Sequence, residues 1–315
     1  MFAKPFPSDR LAQVGADGYV STEDVLFLRR QVFKDGVVSA AELDGLFTLG
    51  ERAPKGDPEW PAYFEEAACD FYLREEEPQG YFTQEEFHTL KARVTRDGQS
   101  ASPLELRLMI KLLETAVDSP AEMRGFVASQ LKEAIAEKSG AVAAADVELV
   151  RRLIFAKGGD GNLAVTRAEA ELLFDINDAA RDADPSWTVF FVKAIANHLM
   201  AHLGYEPQSR EEARRQHAFV SDHSVDVGGF LKKMLAGGLG GFRGDGASAQ
   251  ARRNADRERQ RKIAEIVTPG EADWLADRIG RDGQLHDSEK ALVTYIKELG
   301  AELPPKLQAL VARAA

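Results

Sequence analysis

Two stretches decide the fold: VFKDGVVSAAELDGLF at 32–47 and IFAKGGDGNLAVTRAEAELLF at 154–174. Each follows an arginine pair, Arg29-Arg30 or Arg151-Arg152, and passes a Gly-containing turn into Ser or Thr, two residues, Glu and an apolar run. Each then reaches Asp-Pro-x-Trp, at Asp57, Pro58 and Trp60 and again at Asp184, Pro185 and Trp187. The spacing is constant, since 169 − 42 and 187 − 60 are both 127. Further on, FTQEEFHTLKARVTRDGQ (82–99) aligns with VTPGEADWLADRIGRDGQ (267–284), where 268 − 83 and 282 − 97 are both 185. The offsets differ by 58, so the second stretch carries an insertion between Trp187 and Thr268. Self-similarity at fixed offsets predicts a tandem duplication into two similar lobes, 1–140 and 141–315, the second interrupted at about 203–266.

Both lobes read as helical, which makes the expected fold class all-α. Apolar residues recur at three and four in LELRLMIKLLETAV (104–117), VELVRRLIFA (147–156) and WTVFFVKAIANHLMAHL (187–203). Pro103, Pro120 and Pro269 each follow Ser or Thr, with Glu two residues later. That pattern predicts capping boxes at Ser102–Glu105, Ser119–Glu122 and Thr268–Glu271, where hydroxyl and carboxylate satisfy the free backbone N–H groups of a helix start.

Composition narrows the function classes. The 315 residues are 44% hydrophobic and 29% charged, as in ordinary folded chains, and no apolar run approaches the ~18 residues of a spanning helix. The opening MFAKPFPSDRLAQVG lacks the apolar core of a secretory signal, so the expected location is the cytoplasm. The net charge of −11 argues against nucleic acid as the partner. A single cysteine, Cys69, forms no internal disulfide and no cysteine-based zinc site. Placed among aromatic residues, it reads as a small core residue.

The recurring phrase is Asp-Gly-x-apolar-Ser/Thr-x-x-acid, in DGYVSTED (17–24), DGVVSAAE (35–42) and looser forms near 80–86, 97–105, 160–169 and 282–289. It resembles the second half of the calcium loop of the EF-hand family. On 31–42 the resemblance would make Asp35, Ser39 and Glu42 oxygen ligands, with Gly36 at the turn, but Gln31 and Phe33 stand where the family places its first two acidic ligands. On 158–169 it would assign Asp160, Asn162, Thr166 and Glu169 to Ca²⁺, although Gly158 opens the loop and Leu163 replaces the turn glycine. Arg278 opens the loop at 278–289, and a positive charge there opposes a dication. The same slots read equally as helix starts, with Gly making the turn, Ser or Thr the cap and Glu the box. The chain therefore resembles a pair of degenerate EF-hand-like lobes, and the helical TerB-like domains are similar in their acidic-Gly turns.

The insertion differs in kind. VGGFLKKMLAGGLGGFRGDG (227–246) is too glycine-rich for a stable helix, at about 1 kcal/mol per Gly relative to Ala. Its Phe230, Leu231, Met234, Leu235, Leu239 and Phe242 are nonetheless apolar enough to contact a protein partner or an anionic membrane surface. ARRNADRERQRK (251–262) follows with six basic and two acidic residues. Residues 51–86 run the other way, with eleven acids against three bases, and read as a solvated face or a dock for a basic segment.

No phosphate loop, nucleophile elbow, H-E-x-x-H or C-x-x-C motif occurs, so no catalytic residues are assigned and no enzyme is expected. His198 and His202 share a helix face and would give two ligands to a transition metal, although Leu199 stands where a metalloprotease carries Glu. Otherwise they are half-buried histidines near a helix end. The function expected is a non-catalytic interaction or scaffold protein that needs no cofactor and binds a protein partner through its lobes and the insertion. The alternatives are a calcium sensor acting through 158–169 and a protein held at a membrane surface by 227–246.

Overall fold

The computed structural model describes residues 13–32, 34, 37–96, 98–156, 164–201 and 269–298, together with Pro305, Gln308, Ala309 and Ala312. The candidates Asp35, Asp160, Asn162, His202, Phe230, Leu231, Met234, Leu235, Leu239 and Phe242 lie outside these residues, as does the insertion. The described chain is mostly helical with only two-residue strands, so the all-α expectation holds. It falls into two compact units: Met1–Ala134 with Arg152–Gly161, and Ile135–Arg151 with Asn162–Ala315.

In the first unit, strand β1 (Tyr19–Val20) leads into helix α1 (Thr22–Val32) and then α2 (Ala40–Arg52). Strand β2 (Lys55–Gly56) pairs in parallel with β1, Tyr19 opposite Lys55. Asp57 extends that contact through its backbone N–H to the Val20 carbonyl, at 3.0 Å. Helix α3 (Glu59–Asp70) starts there and runs into a π-helical turn, Phe71–Glu75. Helices α4 (Gln84–Val94) and α5 (Pro103–Thr115) follow. The α5 helix packs against α3 and buries seven apolar side chains, from Leu104 to Leu113. At about 1.5–3 kcal/mol for each fully buried large side chain, this face is a main support of the unit.

Helix α6 (Ala121–Glu137) comes next. Its start departs from expectation: the Ser119 N–H bonds to Asp118 Oδ1, and the Glu122 carboxylate accepts from Gln84 Nε2 instead of closing a box. Asp118 also forms a backbone bridge with Tyr81, so this start answers to a neighbouring segment rather than to itself.

The second unit repeats several of these steps. Strand β3 (Ala141–Val142) precedes α7 (Ala144–Phe155), and α8 (Arg167–Ala179) leads to β4 (Asp182–Ala183), parallel to β3. The Asp184 N–H again reaches across, to the Val142 carbonyl at 2.8 Å. Helix α9 (Pro185–Ala201) is buried over most of its length, and α11 (Asp287–Glu298) packs on it as α5 packs on α3. Helix α10 (Pro269–Arg278) begins at the proline expected to open it, one residue after Thr268, which lies outside the described residues. Core pairs recur as well. Phe47 meets Phe64 edge-on at 5.2 Å, and Phe174 meets Phe191 at 5.1 Å. Both members of the pair are shifted by the offset that separates Glu42 from Glu169. Among the described residues no helix is long and apolar enough to cross a membrane.

Candidate functional site

The first unit carries an open cleft of about 460 Å³ between α2, the π-helical turn and α4. Its apolar floor comes from Leu43 and Phe47 on α2 and from Phe71 and Tyr72 on the turn. Five carboxylates line it, Asp44, Glu76, Glu77, Glu85 and Glu86, against one guanidinium, Arg93. Arg93 lies over the Phe47 ring, 4.3 Å from its centroid, and pairs with Asp44 at 2.6 Å. Glu86 Oε2 closes the box at the start of α4, while its buried Oε1 has no hydrogen-bond partner among the described residues. Glu76, Glu77 and Glu85 are exposed and pair with no cation among the described residues. Burial raises the Tyr72 phenol above its ordinary range, so it stays neutral there.

In the second unit, Trp274 on α10 sits against Phe174, ring centroids 5.5 Å apart at 86°. Its indole N–H donates to Glu171 Oε1 at 2.5 Å, and the Arg167 guanidinium lies 4.0 Å from the ring centroid. Arg278 lies over Phe174 as Arg93 lies over Phe47, and it pairs with Asp175 at 2.7 Å. Arg93 and Arg278 stand at the offset that relates Thr83 to Thr268, and so do Thr89 and Trp274. By that offset Thr89 is the residue aligned in sequence with Trp274.

The loop candidates have structural duties. Ser39 donates both N–H and hydroxyl to Glu42 Oε2 at 2.8 Å, and the Glu42 N–H donates back to Ser39 Oγ. Thr166 and Glu169 repeat this at 2.8 and 2.9 Å, and Thr83 and Glu86 at 2.6 Å, while Ser102 and Glu105 exchange the two backbone bonds of the box. In each box one carboxylate oxygen is committed to the backbone. Among the described residues no group of three or more His, Cys, Asp or Glu is arranged to hold a metal.

His198 is buried on α9. Its Nδ1 donates to the Val165 carbonyl at 2.8 Å, and its ring packs edge-on against Trp274. Cys69 is half-buried, and burial pushes its thiol up to about 12, which keeps the nucleophilic thiolate scarce.

The sequence does not mark one partly buried cluster of the first unit. Glu65 bonds Arg107 and, at 3.2 Å, Arg152, which Glu114 holds by two bonds of 2.9 Å. All four ends are matched, so the cluster braces helices rather than offering a reactive group. A second unmarked cluster lies in the second unit. Glu289 is wholly buried and accepts from the N–H groups of Gly280 and His286, and burial raises its pKa. Nearby, burial also raises the pKa of Asp178, with Arg278 opposing.

The cleft thus offers aromatic carbon and negative charge, the ingredients of recognition. Its two threonine hydroxyls are already placed, Thr83 on Glu86 and Thr89 on the Glu85 carbonyl. Among the described residues no histidine or cysteine lines it. No known protein family, curated protein or solved structure matches the chain.

Proposed function

We propose that the chain is a non-catalytic interaction protein that binds a protein partner, with the first unit's cleft as the principal contact. The observation that carries this reading is the pairing of an aromatic floor with three exposed carboxylates, Glu76, Glu77 and Glu85, that pair with no cation among the described residues. Water-exposed carbon beside unneutralised charge is stabilised when a partner covers both. The apolar residues of 227–246 supply a second contact in this reading.

Within the same reading, the two units are lobes of one duplicated ancestor built from degenerate EF-hand-like helix–loop–helix pieces. The paired phenylalanines and the arginines over Phe47 and Phe174 support it, because each recurs at an offset of the repeat in the sequence, and the parallel two-residue ladders recur beside them. The capping boxes favour loops kept for folding over loops kept for Ca²⁺.

Affinity capture tests the interaction reading. The intact chain is compared with a chain lacking 227–246 and with the triple variant Glu76→Lys, Glu77→Lys, Glu85→Lys. The captured protein is then purified and titrated against all three. A specific partner whose binding falls at least about tenfold on charge reversal supports the reading, a loss of about 1.4 kcal/mol. A purified partner that binds all three alike removes the cleft from the interaction.

A further inference from the structure

We infer that the first unit's cleft receives an aromatic side chain, tryptophan above all, from a partner peptide that carries arginine or lysine beside it. This rests on the interaction reading and names the chemistry of the partner. The second unit displays the occupied form. There Trp274 lies against Phe174, gives its N–H to Glu171 and stacks under Arg167. The repeat maps Phe174, Glu171 and Arg167 onto Phe47, Asp44 and Ala40 of the first unit, with Thr89 in place of Trp274. The ring, its donor and the covering cation are therefore the three things missing, while the aromatic wall and the acceptor carboxylate remain.

The cleft has room for them. At about 460 Å³ it falls in the range of about 300–1,000 Å³ that pockets for compact ligands occupy. A partner cation entering with the ring meets Glu76, Glu77 and Glu85, which have no counterpart cation among the described residues. Burying an aromatic ring removes about 150–250 Å² from water, and a guanidinium over its face adds cation–π attraction. Specificity for a ring plus a charge follows, since either alone leaves half of the cleft unsatisfied.

The test is fluorescence anisotropy with the intact chain and a labelled peptide presenting Arg-Trp-Arg between Gly and Ser residues. Its Arg-Ala-Arg and Glu-Trp-Glu counterparts serve as controls. The expected result is binding at least about tenfold tighter for Arg-Trp-Arg than for either control. Thr89→Trp, which supplies the second unit's own plug, should abolish that preference. Glu85→Lys with Glu77→Lys, both at exposed positions, should weaken it without loss of fold. Equal binding of Arg-Trp-Arg and Arg-Ala-Arg overturns the inference, because the rim is then attracting charge alone. Absence of binding overturns it too, but leaves the interaction reading to the partner-capture experiment. Preference for Trp that survives in Thr89→Trp shows that the ring binds elsewhere and overturns the assignment to this cleft.

Discussion

Trp187 donates its indole N–H to Asn177 Oδ1 at 3.0 Å, and the Ser288 hydroxyl donates to the same oxygen, all three side chains being buried. Trp60, its counterpart in the first unit, is equally buried, yet its N–H has no acceptor among the described residues. The counterpart of Asn177 is Gly50, and a Cβ there would meet Leu104 Cδ1 at 3.1 Å. The first unit thus fills with leucine the space that the second fills with a polar trio.

Removing the acceptor should therefore be costly. Asn177→Ala leaves two buried donors unmatched and should destabilise the chain by about 1–3 kcal/mol, measured by urea unfolding. In the first unit, Gly50→Asn and Leu104→Ser should each destabilise. Together they should cost less than the sum, with a coupling of about 0.5–1.5 kcal/mol as Trp60 gains an acceptor. Strict additivity would show that the two positions do not share one space.

The capping boxes give a second expectation. Ser39→Ala, Thr83→Ala and Thr166→Ala should each cost about 1 kcal/mol, by loss of a helix N-cap. Calcium in millimolar excess should leave the melting curves of wild type and Glu169→Gln unchanged. A loop filled at about one hundred times its Kd would gain about 2.7 kcal/mol. A gain of that size, lost in Glu169→Gln, would make the loop at 158–169 a metal site.

Burial raises the Asp178 pKa, which fixes the sign of a pH effect. A carboxyl with a higher pKa folded than unfolded favours the folded state most below its unfolded value. That contribution is lost as pH rises through the folded value. Asp178→Asn should therefore leave stability unchanged at low pH and raise it above the folded pKa. Comparing the variant with wild type isolates this from carboxylates shifted the other way, such as Asp57, whose pKa is lowered by the Tyr19 hydroxyl. Thermal melts from acid to neutral pH provide the check; a constant difference at every pH would contradict it.

Two turn glycines should respond differently to one methyl group. Gly140 and Gly18 both have positive φ, +78° and +81°. A Cβ on Gly140 would lie 2.4 Å from the Ala179 carbonyl oxygen, whereas one on Gly18 meets nothing within 4 Å. Gly18→Ala should cost about 1–2 kcal/mol, the backbone term alone. Gly140→Ala should cost more, because it also pushes apart the strand pair β3–β4, and unfolding curves of the two variants decide this.

Much of the helical layout was legible because its signals are local. The span 104–117 predicts α5 (Pro103–Thr115), and 187–203 predicts α9 (Pro185–Ala201), to within two residues at each end. The Ser39, Thr83, Ser102 and Thr166 boxes likewise follow from residues three apart. The short strands were not legible, since two-residue ladders leave no alternation to read. Nor was the approach to α7: Gly140, Ala141 and Val142 do the work of Gly18, Tyr19 and Val20 without the Asp-Gly phrase. The cleft escaped for a different reason. An open space is defined by Thr89 and by the absence of an indole, and aligning Thr89 with Trp274 has meaning only once Phe47 and Phe174 are seen to face them.

Cys69 has one practical consequence. A half-buried thiol whose pKa is pushed up to about 12 reacts slowly with maleimides and disulfide reagents at neutral pH, while a cysteine placed on an exposed helix face keeps its ordinary reactivity. Dyes or spin labels can therefore be attached at chosen surface positions without first removing the native sulfur. Distances between such labels would follow this chain in solution in its unaltered background.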